Sequence, residues 1–274
     1  MDYRILALDM DGTVLDRNRS IPPRTARAIH KALASGVHVM FATGRCKDEM
    51  DCYLKDFPDM KYVMLQAGAT VYDLEEKRYL FTRAVPEETV HKIEEIAKAY
   101  DAAVSYYIAD HVIVWDHLLE NMAYYNLEYY ESVYKDIAIV EHTPGEHFLQ
   151  DPKRAFKVNL HFHRYDEWLI GGEELKKLGV NFATTLPCDY EVSNGKVDKG
   201  ACLHKLCEVL NVPIEKTVAV GDSENDTAMI KAAGLGIAMG TSPQSVLDAA
   251  DVVVGDSDHD AVADVIERYF GVTV

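Results

Sequence analysis

Ile5-Leu6-Ala7-Leu8-Asp9-Met10-Asp11-Gly12-Thr13 sets four apolar residues directly before two carboxylates and a glycine. An apolar run this short, ending this abruptly, reads as a strand buried on both faces, as in a parallel sheet. The carboxylates stand two positions apart at its carboxyl end. There they project to one side, into the crevice where open α/β sheets bind ligands. Anionic groups so close repel each other, and a dication relieves that repulsion. Taken alone, the pair also fits a turn with solvated aspartates.

Working outward, a helix is expected from about Pro22, with prolines in its first turn, Ala26, Ile29 and Leu33 on one face, and Gly36 ending it. Val37–Phe41 reads as a second strand, stopping at Ala42-Thr43-Gly44-Arg45, and Tyr62–Leu65 as a third. The far end repeats this grammar. A helix over Gly200–Leu210 leads to a strand at Thr217–Val220 and then Gly221-Asp222, a helix follows near Asn225, and Leu235–Ala238 and Val252–Val254 supply short strands. Strand–helix–strand order at these lengths predicts a parallel sheet with right-handed crossovers.

The middle differs. Between Arg83 and Cys188 tyrosines crowd together, and helical spacing (Val90, Ile93, Ala97) mixes with alternation (Val158, Leu160, Phe162). The expected organisation is therefore an α/β core of residues 1–82 and 189–274 with an α+β domain, 83–188, inserted into it. Pro86 and Pro187 mark expected hinges.

At 274 residues the chain suits two domains. Its 28 basic and 45 acidic residues leave a net charge of −17, which disfavours nucleic acid and anionic membrane as partners. A phosphate site on such a surface must be locally positive, through metal, lysine or helix N-termini. No stretch approaches a membrane span, and Met1 leads straight into the first strand without a secretory leader. The five scattered cysteines read as reduced thiols. The expected compartment is the cytoplasm.

Other strand ends add chemistry. The Thr43 hydroxyl and the backbone N–H groups of its Thr-Gly-Arg turn can hold a phosphate oxygen, although the same three residues suit an ordinary strand-to-helix turn. In Gly221-Asp222-Ser223-Glu224-Asn225-Asp226, Asp222 is placed to add a carboxylate to a metal, and Asn225 and Asp226 sit where helix caps are common. Lys199, ahead of a helix, offers the missing positive charge.

Asp-Met-Asp-Gly-Thr, Thr-Gly-Arg, Lys-Gly and Gly-Asp-Ser-Glu-Asn-Asp, in this order at these strand ends, resemble the four motifs of the haloacid dehalogenase superfamily. The insert between the second and third motifs resembles the Cof-type branch, whose cap, type IIB, sits there. The resemblance implies a Rossmann-like parallel-sheet core with an inserted α+β cap that selects substrate. It implies a Mg²⁺-dependent phosphatase acting on a small phosphorylated metabolite, a sugar phosphate foremost.

Residue by residue, the resemblance makes Asp9 the nucleophile and a metal ligand. Asp11 becomes the general acid and base, binding metal through its main-chain carbonyl. Thr43 and Lys199 neutralise the transferring phosphoryl group, and Asp222 completes the metal site with Asp226 in support. Gly44, Arg45 and Asn225 lie near the phosphate. An acid at Asp11 favours a phosphatase over a dehalogenase. A phosphomutase and a catalytically idle Mg²⁺-binding sensor are the alternatives, and the intact set of carboxylates and lysine argues against the sensor.

The chain departs from the Cof pattern in three places. Ala67 stands where an asparagine is common, Met239-Gly240-Thr241-Ser242 replaces a Gly-Asn-Ala run, and Asp260-Ala261-Val262 replaces Asp-Gly-Val. In the insert, Tyr106, Tyr125 and Tyr129 read first as packing and only secondarily as pocket walls. His161 and His163 share a strand face as packed or solvated histidines rather than a metal pair. Lys157 and Glu191 are candidate substrate contacts.

Overall fold

The computed structural model describes residues 2–108, 110–142, 155–184 and 186–273, without the side chain of Tyr129, so the expectation for that tyrosine lies outside the described residues. The chain forms two compact units, one of residues 1–44, 53–81 and 198–274, the other of residues 45–52 and 82–197.

The first unit is built on an eight-stranded sheet. Its strands in chain order are β1 (Ile5–Leu8), β2 (His38–Ala42), β3 (Tyr62–Leu65), β4 (Thr70–Asp73) and β5 (Arg78–Thr82), then β12 (Thr217–Gly221), β13 (Leu235–Met239) and β14 (Val252–Val254). Their spatial order is β14-β13-β12-β1-β2-β3-β4-β5. The pairs from β14 to β3 are all parallel, and β4 turns back antiparallel on β3. β1 lies at the centre, with every residue buried. Ile5 and Ala7 meet Leu203, Leu206 and Met229 in one core, while Leu6 and Leu8, equally buried, alternate to the other face. Burial on both faces explains why the strand reads as an unbroken apolar run.

The expected helices are present as Pro23–Ala34 and Lys199–Leu210; near Asn225 a 3₁₀ turn, Glu224–Asp226, precedes the helix Thr227–Ala232. Asp198 caps the second of these, its Oδ1 accepting from Ala201 N at 2.7 Å. The β3–β4 hairpin is absent from the sequence reading, because its turn carries left-handed Gln66 and Ala67 in place of a recognisable turn pair.

The second unit holds a six-stranded sheet of β6 (Ala102–Ile108), β7 (His111–Trp115), β8 (Ile139–Glu141), β9 (Ala155–Phe162), β10 (Asn181–Ala183) and β11 (Asp189–Ser193). The spatial order is β10-β11-β9-β6-β7-β8. On one face Val104, Tyr106, Val158, Leu160 and Val192 form a core with Val90, Ile93 and Leu175 from the helices Glu87–Ala99 and Tyr165–Lys176. This unit runs on to Val197, past the expected boundary at 188, because β11 pairs antiparallel with β9. Both expected hinge prolines fall inside it: Pro86 caps the helix Glu87–Ala99, and Pro187 lies in the turn before β11.

Candidate active site

β12, β1 and β2 are neighbours in one parallel register, with Leu8 opposite both Val220 and Phe41. The residues that follow them, Asp222, Asp9 and Thr43, are thereby carried to one edge of the sheet. Asp9 N donates to Val220 O at 2.9 Å, extending the ladder one residue beyond β1 and fixing where the side chain leaves the backbone.

Asp9, Asp222 and Asp226 each offer a carboxylate oxygen within 4.8 Å of the others. Lys199 binds this group from the amino end of its helix. Its ammonium donates to Asp9 Oδ1 and to Asp226 Oδ1, both at 2.6 Å, and the lysine is wholly buried. Asp226 engages both of its oxygens with protein donors. Oδ2 accepts from Asp222 N at 3.1 Å, Ser223 N at 3.0 Å and Ser223 Oγ at 3.2 Å, closing a capping box at the turn. Asp226 thereby holds the backbone of Asp222 and Ser223 while its carboxylate stays within the group of three.

Burial and the nearby Asp226 push the Asp9 carboxyl well above the usual carboxylate range, while Lys199 pulls it back. The Asp222 carboxyl is pushed up to about 6, again by burial first and Asp226 second, with the hydrogen bond from Thr13 opposing. Burial drives the Lys199 ammonium down, but Asp226 and Asp9 outweigh it and leave it raised. Three crowded carboxylates offset by one ammonium form a donor set of hard oxygens that suits Mg²⁺. Among the described residues this is the sole cluster of its kind.

Asp11 stands apart from these carboxylates. It is exposed, in the turn where Thr13, Val14 and Leu15 donate to Met10 O. Gly12 shapes that turn at φ +84°, and a Cβ there would lie 2.5 Å from Asp222 Oδ2. Thr43 is buried, and its backbone N–H donates to Met64 O at 3.0 Å. Gly44 follows at the end of the first segment of the first unit, whereas Arg45 belongs to the second unit and is buried. Asn225 Oδ1 accepts from Ser223 Oγ at 2.9 Å.

Two contributors escape the sequence reading. Thr13 Oγ1 donates to Asp222 Oδ1 at 2.9 Å, and Ser223 orients Asp226. The first bond spans 209 positions, so no local pattern discloses it. The second lies within the motif itself, where the Ser-x-x-Asp spacing of a capping box was available.

In the second unit, the remaining candidates are placed as follows. Tyr106 is buried and donates to Glu94 at 2.6 Å; Tyr125 is buried with its hydroxyl 3.2 Å from His117 Nε2. His161 bonds Ser105, while His163 approaches Tyr124 O at 2.7 Å and stacks on that ring at 3.9 Å, so the two histidines have different partners. Lys157 is buried and pairs with Glu191 at 2.7 Å.

Residues 6–266 match the family model of haloacid dehalogenase-like hydrolases. The chain is 28% identical to Phosphatase YwpJ of Bacillus subtilis, over 97% of this chain and 99% of that one. It is 27% identical to the 5-amino-6-(5-phospho-D-ribitylamino)uracil phosphatase YcsE of the same organism, over 98% of this chain and 96% of that one. In fold it is similar to the subclass IIB sugar phosphatase BT4131, with a TM-score of 0.80 at 20% identity, covering 98% and 99% of the two chains. With its carboxylates and lysine gathered at the carboxyl edge of a parallel sheet, the chain belongs to the haloacid dehalogenase-like hydrolases and is a phosphoric monoester hydrolase.

Proposed function

We propose that this protein is a Mg²⁺-dependent phosphatase of a small phosphorylated metabolite, a sugar phosphate foremost, working through a phospho-aspartate on Asp9. The observation that carries this reading is the Asp9 carboxylate held between Lys199 and Asp222 at the strand edge. Asp9, Asp222 and the main-chain carbonyl of Asp11 would hold the metal, with Asp226 keeping Asp222 in place. When bound, Mg²⁺ would supply positive charge at the phosphoryl oxygens and favour the ionised form of Asp9.

In the first step an Asp9 oxygen forms a bond to phosphorus as the ester P–O bond breaks, and Asp11 gives its proton to the leaving oxygen. In the second, Asp11 takes a proton from the water that attacks phosphorus, and the Asp9–phosphorus bond breaks. The exposure of Asp11 suits a group that must meet both leaving group and water. Lys199 and the Thr43 hydroxyl are assigned to the charge of the transferring group. Gly44, Arg45 and Asn225 are assigned to the phosphate on the resemblance alone. The inserted domain is assigned to substrate selection, with its limits at the unit boundaries rather than at 83–188.

A cytoplasmic setting belongs to the same proposal. It is supported by five cysteines of which none forms a disulfide, with Cys46, Cys202 and Cys207 buried. No helix among the described residues is long and apolar enough to cross a membrane.

The test is phosphate release from a panel of phosphorylated metabolites, with and without Mg²⁺, beside Asp9→Asn. Release that needs both the metal and Asp9 supports the reading. Release that survives Asp9→Asn overturns it.

A further inference from the structure

Three consecutive residues at the carboxyl end of β3 are left-handed: Gln66 at φ +52°, Ala67 at φ +55° and Gly68 at φ +95°. For the two that carry a Cβ this conformation is strained, and such strain persists only where surrounding contacts over-determine it. Gln66 is wholly buried, and its Oε1 accepts from Thr70 Oγ1 at 3.0 Å, while its carbonyl accepts from Ala69 N at 3.1 Å.

Within the first unit, this turn meets both of the groups assigned to the charge of the transferring phosphoryl group. Ala67 N donates to Thr43 O at 3.0 Å, and Thr43 N donates to Met64 O at 3.0 Å. The main chain of Thr43 is thereby held at both its polar groups by β3 and the turn that follows. Gly68 meets the residue before Lys199. A Cβ on Gly68 would stand 2.5 Å from Asp198 O, 2.7 Å from Asp198 C and 2.9 Å from Lys199 N. All three are backbone atoms, which cannot swing aside as the end of a side chain does.

Closing a hairpin between Leu65 and Thr70 calls for left-handed residues. It does not call for the turn to be pressed against the start of a helix from the far end of the chain. Gly200, on the other flank of the lysine, is packed as tightly, since a Cβ there would lie 2.4 Å from Ala228 O. Lys199 therefore leaves a helix start bounded by the turn before it and by the helix Thr227–Ala232 after it. From that start its ammonium reaches Asp9 and Asp226, each at 2.6 Å, and bonds so short tolerate little displacement.

We propose that the Gln66–Gly68 turn, which lies outside the four motifs, positions the reacting groups, and that Gly68 is the positioning residue for Lys199. The proposal rests on the phosphatase reading above, with Lys199 acting on the charge of the transferring group. Gly68 acts through the backbone alone. By carrying no Cβ it lets Asp198 sit where the lysine ammonium meets Asp9.

The experiment compares Gly68→Ala with Gly36→Ala. Gly36 is left-handed to nearly the same degree, at φ +90°, but a Cβ on it meets nothing within 4 Å. Both variants carry the backbone strain, and only the first presses on Asp198. Kinetics are read with p-nitrophenyl phosphate and with the most active ester of the panel above. Gly68→Ala is expected to lose about 10–100-fold in kcat, the effect of an ångström-scale misplacement of a catalytic group. Its KM should change by less than about threefold, the mark of an interaction made in the transition state. Gly36→Ala should keep the wild-type kcat while losing comparable thermal stability. Equal kcat values in the two variants overturn the proposal, as does a loss confined to KM. If Gly68→Ala does not fold, Gly68→Asn takes its place, because asparagine accepts left-handed φ more readily and brings the same Cβ.

Absence of Asp9-dependent release from every ester by the wild type would sink the phosphatase reading instead. The positioning is then read from the amine itself, by labelling the native full chain with acetic anhydride and mapping the peptide that contains Lys199. Labelling about tenfold faster in Gly68→Ala than in Gly36→Ala supports the proposal, as the loss of protection that displacing a buried group brings. Equal labelling rates overturn it.

Discussion

Lys199 Nζ lies 2.6 Å from Asp9 Oδ1 across 190 positions of chain, and both side chains are buried. The same ammonium reaches Asp226 Oδ1, so one cation compensates two carboxylates that would otherwise face each other in a low-dielectric interior. Gly68 shows how closely the backbone is fitted here. It adopts φ +95°, and a Cβ on it would stand 2.5 Å from Asp198 O, directly before the lysine.

Removing that ammonium leaves the buried Asp9 and Asp226 carboxylates without the counter-charge they share. Lys199→Met is expected to destabilise the metal-free protein by about 3–5 kcal/mol, the usual cost of breaking a buried ion pair from one side. Urea unfolding measures it, and a loss under about 1 kcal/mol would show the pair to be better solvated than its burial indicates.

The two aspartates of the first motif separate by kinetics. Asp9→Asn is expected to abolish turnover with the fold intact by circular dichroism. Asp11→Asn should lose about 10²–10⁴-fold in kcat, the range of a general acid–base group. Equal residual rates in the two variants would contradict their assigned roles.

Thr13 is expected to influence metal binding through its bond to Asp222. Thr13→Val removes the 2.9 Å bond to Asp222 Oδ1 while keeping a β-branched shape. A partner of this kind is worth about 10–100-fold in metal affinity. Calorimetric titration with Mg²⁺ tests this, and unchanged affinity would exclude Thr13 as a positioning residue.

Ala67 occupies a left-handed conformation at φ +55°. Its N–H donates to Thr43 O at 3.0 Å, a bond glycine can also make. Ala67→Gly is expected to raise stability by up to about 1 kcal/mol, the relief of left-handed strain less the added chain entropy. A lowered melting temperature would count against it.

Glu49 offers a pH signature. Burial raises its carboxyl above its ordinary value near 4.5, with Lys157, the Cys46 N–H and Arg45 opposing. A pKa higher in the folded than in the unfolded state favours folding fully below the unfolded value, and that contribution is lost as pH rises through the folded one. Glu49→Gln does not titrate and keeps an acceptor for Cys46 N. The melting temperature of the variant relative to wild type should therefore climb from acid to mildly alkaline pH. A flat difference would show Glu49 to be unperturbed.

Local sequence is enough for the parallel strands of the core sheet and for the motif positions. Ile5–Leu8 and Thr217–Gly221 declare themselves within a few residues, since a short apolar run bounded by polar residues is best buried as a core strand. Asp9 and Asp222 are legible because their chemistry follows the run at once. Lys199 is legible through its motif, but nothing local distinguishes a lysine that ends wholly buried from one on a surface.

Packing supplies the rest, because register and long-range contact are properties of the folded chain. The Thr13–Asp222 bond joins opposite ends of the sequence, and the second unit reaches Val197 only because β11 finds β9. Alternation along β9 also leaves two faces to choose between. Val158 and Leu160 enter an apolar core while Lys157, Asn159 and His161 are buried opposite, and it is the strands on either side that give each of those polar groups its neighbours.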